Sequence, residues 1–200
     1  MQPTEILMSE HRVIEQVLNC LEKIAQQAKR TGKLEGDAAR QALDFFGNFA
    51  DRCHHDKEEQ HLFPLMEAKG FPRHGGPTGV MLHEHDEARR HVQAMNAALA
   101  LAATGHAPAL QQFVRHAHAY VTLLREHIAK EDHCLFPMAN QAFAEADQQR
   151  LRDAFEHVEH DELGEGTHEH FLEVAQRLAE RYGVPTAPAP AECACGHGAH

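Results

Sequence analysis

Apolar residues return every three or four positions along nearly the whole chain, the spacing that puts them on one face of an α-helix. Leu7, His11, Ile14, Leu18, Leu21, Ala25 and Ala28 form the first stripe, and Thr31-Gly32-Lys33 ends it. A second helix is expected from about Asp37 or Ala38. Its inner face runs Ala42, Phe46, Phe49 or Ala50, Cys53 or His54, Lys57 or Glu58, then Leu62, with Pro64 near its end. Residues 70–79, GFPRHGGPTG, read as a loop. A third stripe runs Leu82, His85, Arg89, Val92, Met95 or Asn96, Leu99, and the pattern breaks between Thr104 and Pro108. A fourth carries Phe113, Ala117, Tyr120, Leu124, His127, Glu131 and Leu135. Residues 145–161 and 166–182 read as helical again, parted by Gly164 and Gly166. No stretch alternates like a strand. The pattern predicts an all-α fold, an antiparallel up-down four-helix bundle with a C-terminal helical extension. The expected domain covers residues 1–182, with the bundle at about 4–140 and the extension at about 145–182. Residues 183–200, Pro/Ala-rich and then Cys/His-rich, are expected to be disordered.

The polar positions on these inner faces change the picture. Residues 54–64, HHDKEEQHLFP, and 127–137, HIAKEDHCLFP, align without a gap as His-x-x-Lys-Glu-acid-x-x-Leu-Phe-Pro. Residues four apart lie one turn apart on the same helix face. His54 with Glu58, and His127 with Glu131, therefore point the same way. The stripe Phe46, Ala50, His54, Glu58, Leu62 turns the first pair inward, whereas His55 and Glu59 fall with Asn48, Asp51 and Arg52 on a wet face. A carboxylate inside a bundle is costly unless its charge is met. Neither inner stripe offers a convincing Lys or Arg, Arg89 being the nearest. Metal ions meet the need directly, and imidazole plus carboxylate suits iron, manganese or zinc. His11 and His85 are the inward histidines of the first and third helices. The expected ligands are then His11, His54, Glu58, His85, His127 and Glu131. With bridging glutamates they fill about eight of the roughly twelve positions of two octahedral ions. His55, His83 and Asp132 are alternative ligands, and Tyr120 is a candidate redox side chain or occupant of an open metal position. Cys193, Cys195, His197 and His200 form a second, looser chelating candidate in the tail.

Composition narrows the function. The 30 Asp and Glu against 19 Lys and Arg give a net charge of −11, which argues against a nucleic-acid surface and against docking on an anionic membrane. Histidine is in excess at 19 residues, which points to metal ligation or proton handling. No apolar run approaches the roughly 18–20 residues of a membrane span. Five cysteines, an odd number without a disulfide framework, fit reduced thiols and a cytoplasmic protein.

The stretches SEHR, HHDKEEQHLFP, GPTGVMLHEHDEARRH and HIAKEDHCLFP, in this order, resemble the bacterial hemerythrin-like, or HHE cation-binding, family. FEHVEHDELGEGTHEHFLEVAQRLAERYG is similar to the C-terminal extension of many members, and the likeness covers about residues 5–182. The resemblance implies a non-heme pair of iron ions, oxo- or hydroxo-bridged, with Glu58 and Glu131 as bridging ligands. It implies a small ligand, dioxygen, peroxide or nitric oxide. Met81 stands where oxygen carriers have a further histidine, so reversible oxygen carriage is not implied. Asp132 stands at the offset where those carriers place a bridging aspartate. Turnover of peroxide or nitric oxide would make the protein an enzyme. The alternatives are an iron store, donor or sensor, and a structural zinc bundle. A protein partner and an oligomeric state do not follow from the sequence.

Overall fold

The computed structural model describes residues 1–159 and 166–188. Its helices are α1, Pro3–Thr31; α2, residues 36–68; α3, Pro77–Ala103; α4, residues 107–142; α5, Glu145–His157; and α6, Thr167–Tyr182. No strand occurs among the described residues. No helix among them is long and apolar enough to cross a membrane. Cys193, Cys195, His197 and His200 lie outside the described residues.

Local chemistry sets the ends. Pro3 opens α1, where a missing N–H costs nothing, and Glu5 accepts from the Gln2 backbone N–H at 2.7 Å. Gly32 closes it with φ 73° and donates its N–H to the Ala28 carbonyl. Pro77 opens α3 inside the stretch expected to be loop through residue 79. Gly76 passes so close to Pro72 that a Cβ there would sit 1.7 Å from the Pro72 carbonyl oxygen.

The two helices that carry the repeated phrase are not uniform α-helices. In α2, Gly36–Phe45 is α-helical, Phe46–His55 and Glu58–Leu62 are π-helical, and Phe63–Ala68 is α-helical again. In α4, α-helical Ala107–Lys130 passes through π-helical Glu131–Leu135 into α-helical Phe136–Ala142. Each Leu-Phe-Pro explains the wide turn before it. Pro64 and Pro137 have no N–H for the carbonyl four residues back, and their rings crowd it. Widening to an i→i+5 pattern relieves that crowding without ending the helix. Neither proline therefore breaks its helix.

The long helices form a closed ring, with α1 against α2 and α4, and α3 against α2 and α4. α5 lies on α1 and the 58–62 segment, and α6 lies on α1 and α2. Thr4 bonds Asn140, Arg125 bonds Asn19 and Glu22, and Arg89 bonds Asp51 and Glu59 across the ring. The apolar interior is split in two. The larger part spans α1 from Val13, α2 to Ala50, α3 from Ala88 and α4 to Ile128, with α6 added. The smaller contains Ile6, Leu7, Leu62, Phe63, Met81, Leu135 and Phe136, with Leu151 and Phe155 of α5. Between them lies a buried polar layer.

Candidate metal centre

Glu58 and Glu131 are fully buried, each the first residue of a π-helical turn. Two groups of ligand atoms meet there, close enough within each group to share an ion: His55, Glu58, His85 and His127; and His11, His54, Glu58 and Glu131. The two glutamates join them. Glu58 approaches His54 Nε2 at 3.8 Å through one oxygen and His85 Nε2 at 3.4 Å through the other. One oxygen of Glu131 lies 3.2 Å from His11 Nε2 and 3.3 Å from His127 Nε2.

Every one of these five imidazoles is held from behind. Nδ1 of His11 donates to Asp132 at 2.7 Å, that of His54 to Glu10 at 2.8 Å, and that of His55 to Asp51 at 3.3 Å. His85 donates to Glu59 at 2.7 Å and His127 to Glu84 at 2.9 Å. A cation in turn holds each carboxylate: Arg12 on Asp132, Lys57 on Glu10, Lys130 on Glu84, and Arg89 on both Asp51 and Glu59. A proton fixed on Nδ1 leaves Nε2 as a lone pair facing inward. The Nε2 atoms of His85 and His127 approach to 3.0 Å, a separation that a shared proton or an ion bound to both nitrogens accommodates and two bare lone pairs do not. Both oxygens of Glu58, both of Glu131 and Nε2 of His11 have no hydrogen-bond partner among the described residues. Buried polar atoms are almost always satisfied, so the residues fit metal ions.

Charge agrees with that fit. Burial and the neighbouring Glu131 push the Glu58 carboxyl well up. Burial works against charge on Glu131 too, but His127 and His11 outweigh it and hold it down at about 2. Burial, helped by His11, lowers His54 to about 4. Burial lowers His55 and His85 as well. These three imidazoles are neutral, the form that binds metal. Burial opposes charge on His11 as well, but Asp132 and Glu131 outweigh it and raise it to about 9, so an ion bound there displaces a proton.

The hemerythrin HHE cation-binding domain family matches residues 2–139. The chain belongs to this family. It is also similar to uncharacterized proteins of Mycobacterium bovis and of Mycobacterium tuberculosis strains CDC 1551 and H37Rv, each 23% identical over 180 residues, covering 90% of this chain and 70% of the relative. No solved structure matches the chain significantly.

Within this hemerythrin-family centre the structure brings together His11, His54, Glu58, His85, His127 and Glu131, and adds His55. The face expected to be wet is not wet at His55, which is buried and stacks on His85 with ring centroids 3.8 Å apart. The π-helical turns of Phe46–His55 widen the inward face of α2. Phe49 and Ala50, Cys53 and His54, Lys57 and Glu58 are all buried, not one of each pair. His83 is exposed and outside both groups. Asp132 stands behind His11. Tyr120 is buried against Phe46, apart from both ligand groups. Cys134 is exposed, while Cys53 is buried with its thiol pushed up by burial. The buried cation that the inner stripes were not expected to offer is Lys57. It pairs with Glu10 and Glu159, not with Glu58. Glu10, Glu159 and His168 form a third group of ligand type, and the Lys57 ammonium already sits between the two carboxylates.

Proposed function

We propose that the protein holds two iron ions in this centre and there binds or reacts with dioxygen, peroxide or nitric oxide. We read the long helices as an antiparallel up-down bundle of about residues 4–140, with an extension at about 145–182. The cross-helix pairs support that topology, because between α1 and α4, α2 and α3, and α3 and α4 the residue numbers rise on one helix as they fall on the other. Three free thiols, Cys20, Cys53 and Cys134, support a reducing, cytoplasmic setting.

One observation carries the functional reading: the two ligand groups, of four side chains each, differ in imidazoles. His55, His85 and His127 would hold one ion, and His11 and His54 the other. If Glu58 and Glu131 were both shared, the second ion would keep a position for an outside ligand. Bound ferrous ions would supply the electrons for reduction of a small oxidant. The chain's own residues do the rest. Glu58 and Glu131 bring charge into the apolar interior, and the Nδ1 bonds fix each ring's orientation. Phe136 stacks on His11 at 5.5 Å and Phe63 on His85 at 5.9 Å, screening the centre from water.

Protein reconstituted with ferrous salt without oxygen, then exposed to air, tests the proposal. Elemental analysis should give two irons per chain and the oxidised protein a visible absorption band that the zinc-loaded form lacks. At most one metal per chain, or a colourless oxidised protein, overturns it.

A further inference from the structure

Outside the ligand groups, on the far side of His55, a recess of about 140 Å³ opens between α2 and α3. Its walls are Phe46, Ala88 and Val92, and its polar groups are Asp51, His55, Arg89, Gln93 and Tyr120. Gln93 at its mouth is exposed. Tyr120 at its base is only 2% exposed, yet no hydrogen bond joins its hydroxyl to a described residue. The Tyr120 oxygen is not sealed from solvent and opens on the recess. The recess therefore offers a donor that the protein does not use.

We propose that the recess is a docking site for a small neutral hydroxylic molecule, such as hydrogen peroxide or a short alcohol, held by the Tyr120 hydroxyl beside His55. Size limits the occupant to about six heavy atoms, since a cavity of about 150 Å³ holds one benzene. Charge decides the class. Arg89, the one cation of the lining, is already engaged by Asp51 at 2.8 Å, Glu59 at 2.7 Å and Asp86 at 3.3 Å. An anion would meet the Asp51 carboxylate with no unengaged cation in the lining. Burial and Asp51 raise the Tyr120 phenol well above its ordinary value, so it stays a donor. A hydroxylic guest accepts from Tyr120 and has its own proton to give to Asp51.

This site depends on the proposed chemistry only in the choice of peroxide. Binding itself needs no iron, so it is tested on the redox-silent, zinc-reconstituted full chain. The chain has two tyrosines, and a Tyr182→Phe variant assigns the two resonances of protein labelled with carbon-13 at the tyrosine ring carbon bearing oxygen. Titration with hydrogen peroxide, and separately with methanol, should move the Tyr120 resonance to a plateau while Tyr182, already bonded to Glu35, stays still. Val92→Phe, which fills the recess, should abolish the shift. Sodium formate should leave Tyr120 in place. A Tyr120 resonance that never saturates, or that drifts in step with Tyr182, removes the site. A response to formate and not to methanol overturns the assignment of a neutral guest. In the iron-loaded protein, Tyr120→Phe should raise the peroxide concentration for half-maximal rate roughly fivefold to tenfold, the counterpart of one lost hydrogen bond. An unchanged value would break the link to peroxide, whereas an iron centre inert to peroxide would leave the methanol titration untouched.

Discussion

The triplet Lys-Glu-acid in each copy of the repeated phrase divides three jobs among neighbouring residues. Lys57 and Lys130 neutralise Glu10 and Glu84, which hold His54 and His127. Glu58 and Glu131 turn inward to join the two ligand groups. Glu59 and Asp132 reach across to the imidazoles of His85 and His11. Each half of the centre thus supports the other. His55 breaks the equivalence, since Ile128 occupies its place in the second copy. His55→Ala is expected to lower retained metal from two ions per chain toward one, and His83→Ala to leave it unchanged, as elemental analysis after dialysis would show. The internal repeat made His54, Glu58, His127 and Glu131 legible in the sequence, and the stripes of the first and third helices did the same for His11 and His85. His55 was legible only as an alternative ligand on a wet face, because a face assigned with 3.6 residues per turn is wrong wherever the helix widens.

At the scale of the element, that widening is the decisive feature. The sequence carries a trace of it in the uncertainty between Phe49 and Ala50, Cys53 and His54, Lys57 and Glu58. A uniform α-helix would bury one of each pair, whereas α2 buries both, with α5 and α6 covering it from outside the ring. The prolines were legible as residues but not as the cause of a wide turn, because a periodic stripe marks a face and not the hydrogen-bond pattern beneath it. Deleting Asn48 takes one residue out of the Phe46–His55 turns. The shortened helix should keep the far-ultraviolet signal of the parent and lose metal. Metal retention equal to the parent's would show that the wide turns do not aim His54 and His55.

Across the whole molecule, the helices that the extension adds make two equivalent lysines unequal. Lys57 is fully buried, faces Glu10 and Glu159, and lies 5.8 Å from the Phe155 ring, whereas the Lys130 side chain is 41% exposed. Removing one member of a buried pair strands the other's charge and costs about 3–5 kcal/mol, while an exposed pair contributes about 0–1 kcal/mol. Lys57→Met should therefore destabilise the protein by about 3–5 kcal/mol and Lys130→Met by about 1 kcal/mol or less, measured by urea unfolding. Equal losses would mean that α5 does not seal Lys57 from water. The helical class and the order of elements followed from periodicity, but this covering did not, because residues 145–182 show an apolar face without naming what it rests on.

Five inward imidazole nitrogens against only two carboxylates also decide which ions can compete in a living cell. Magnesium and calcium are both hard ions that want oxygen on nearly every side. A cradle lined mostly with nitrogen disfavours both at the threshold.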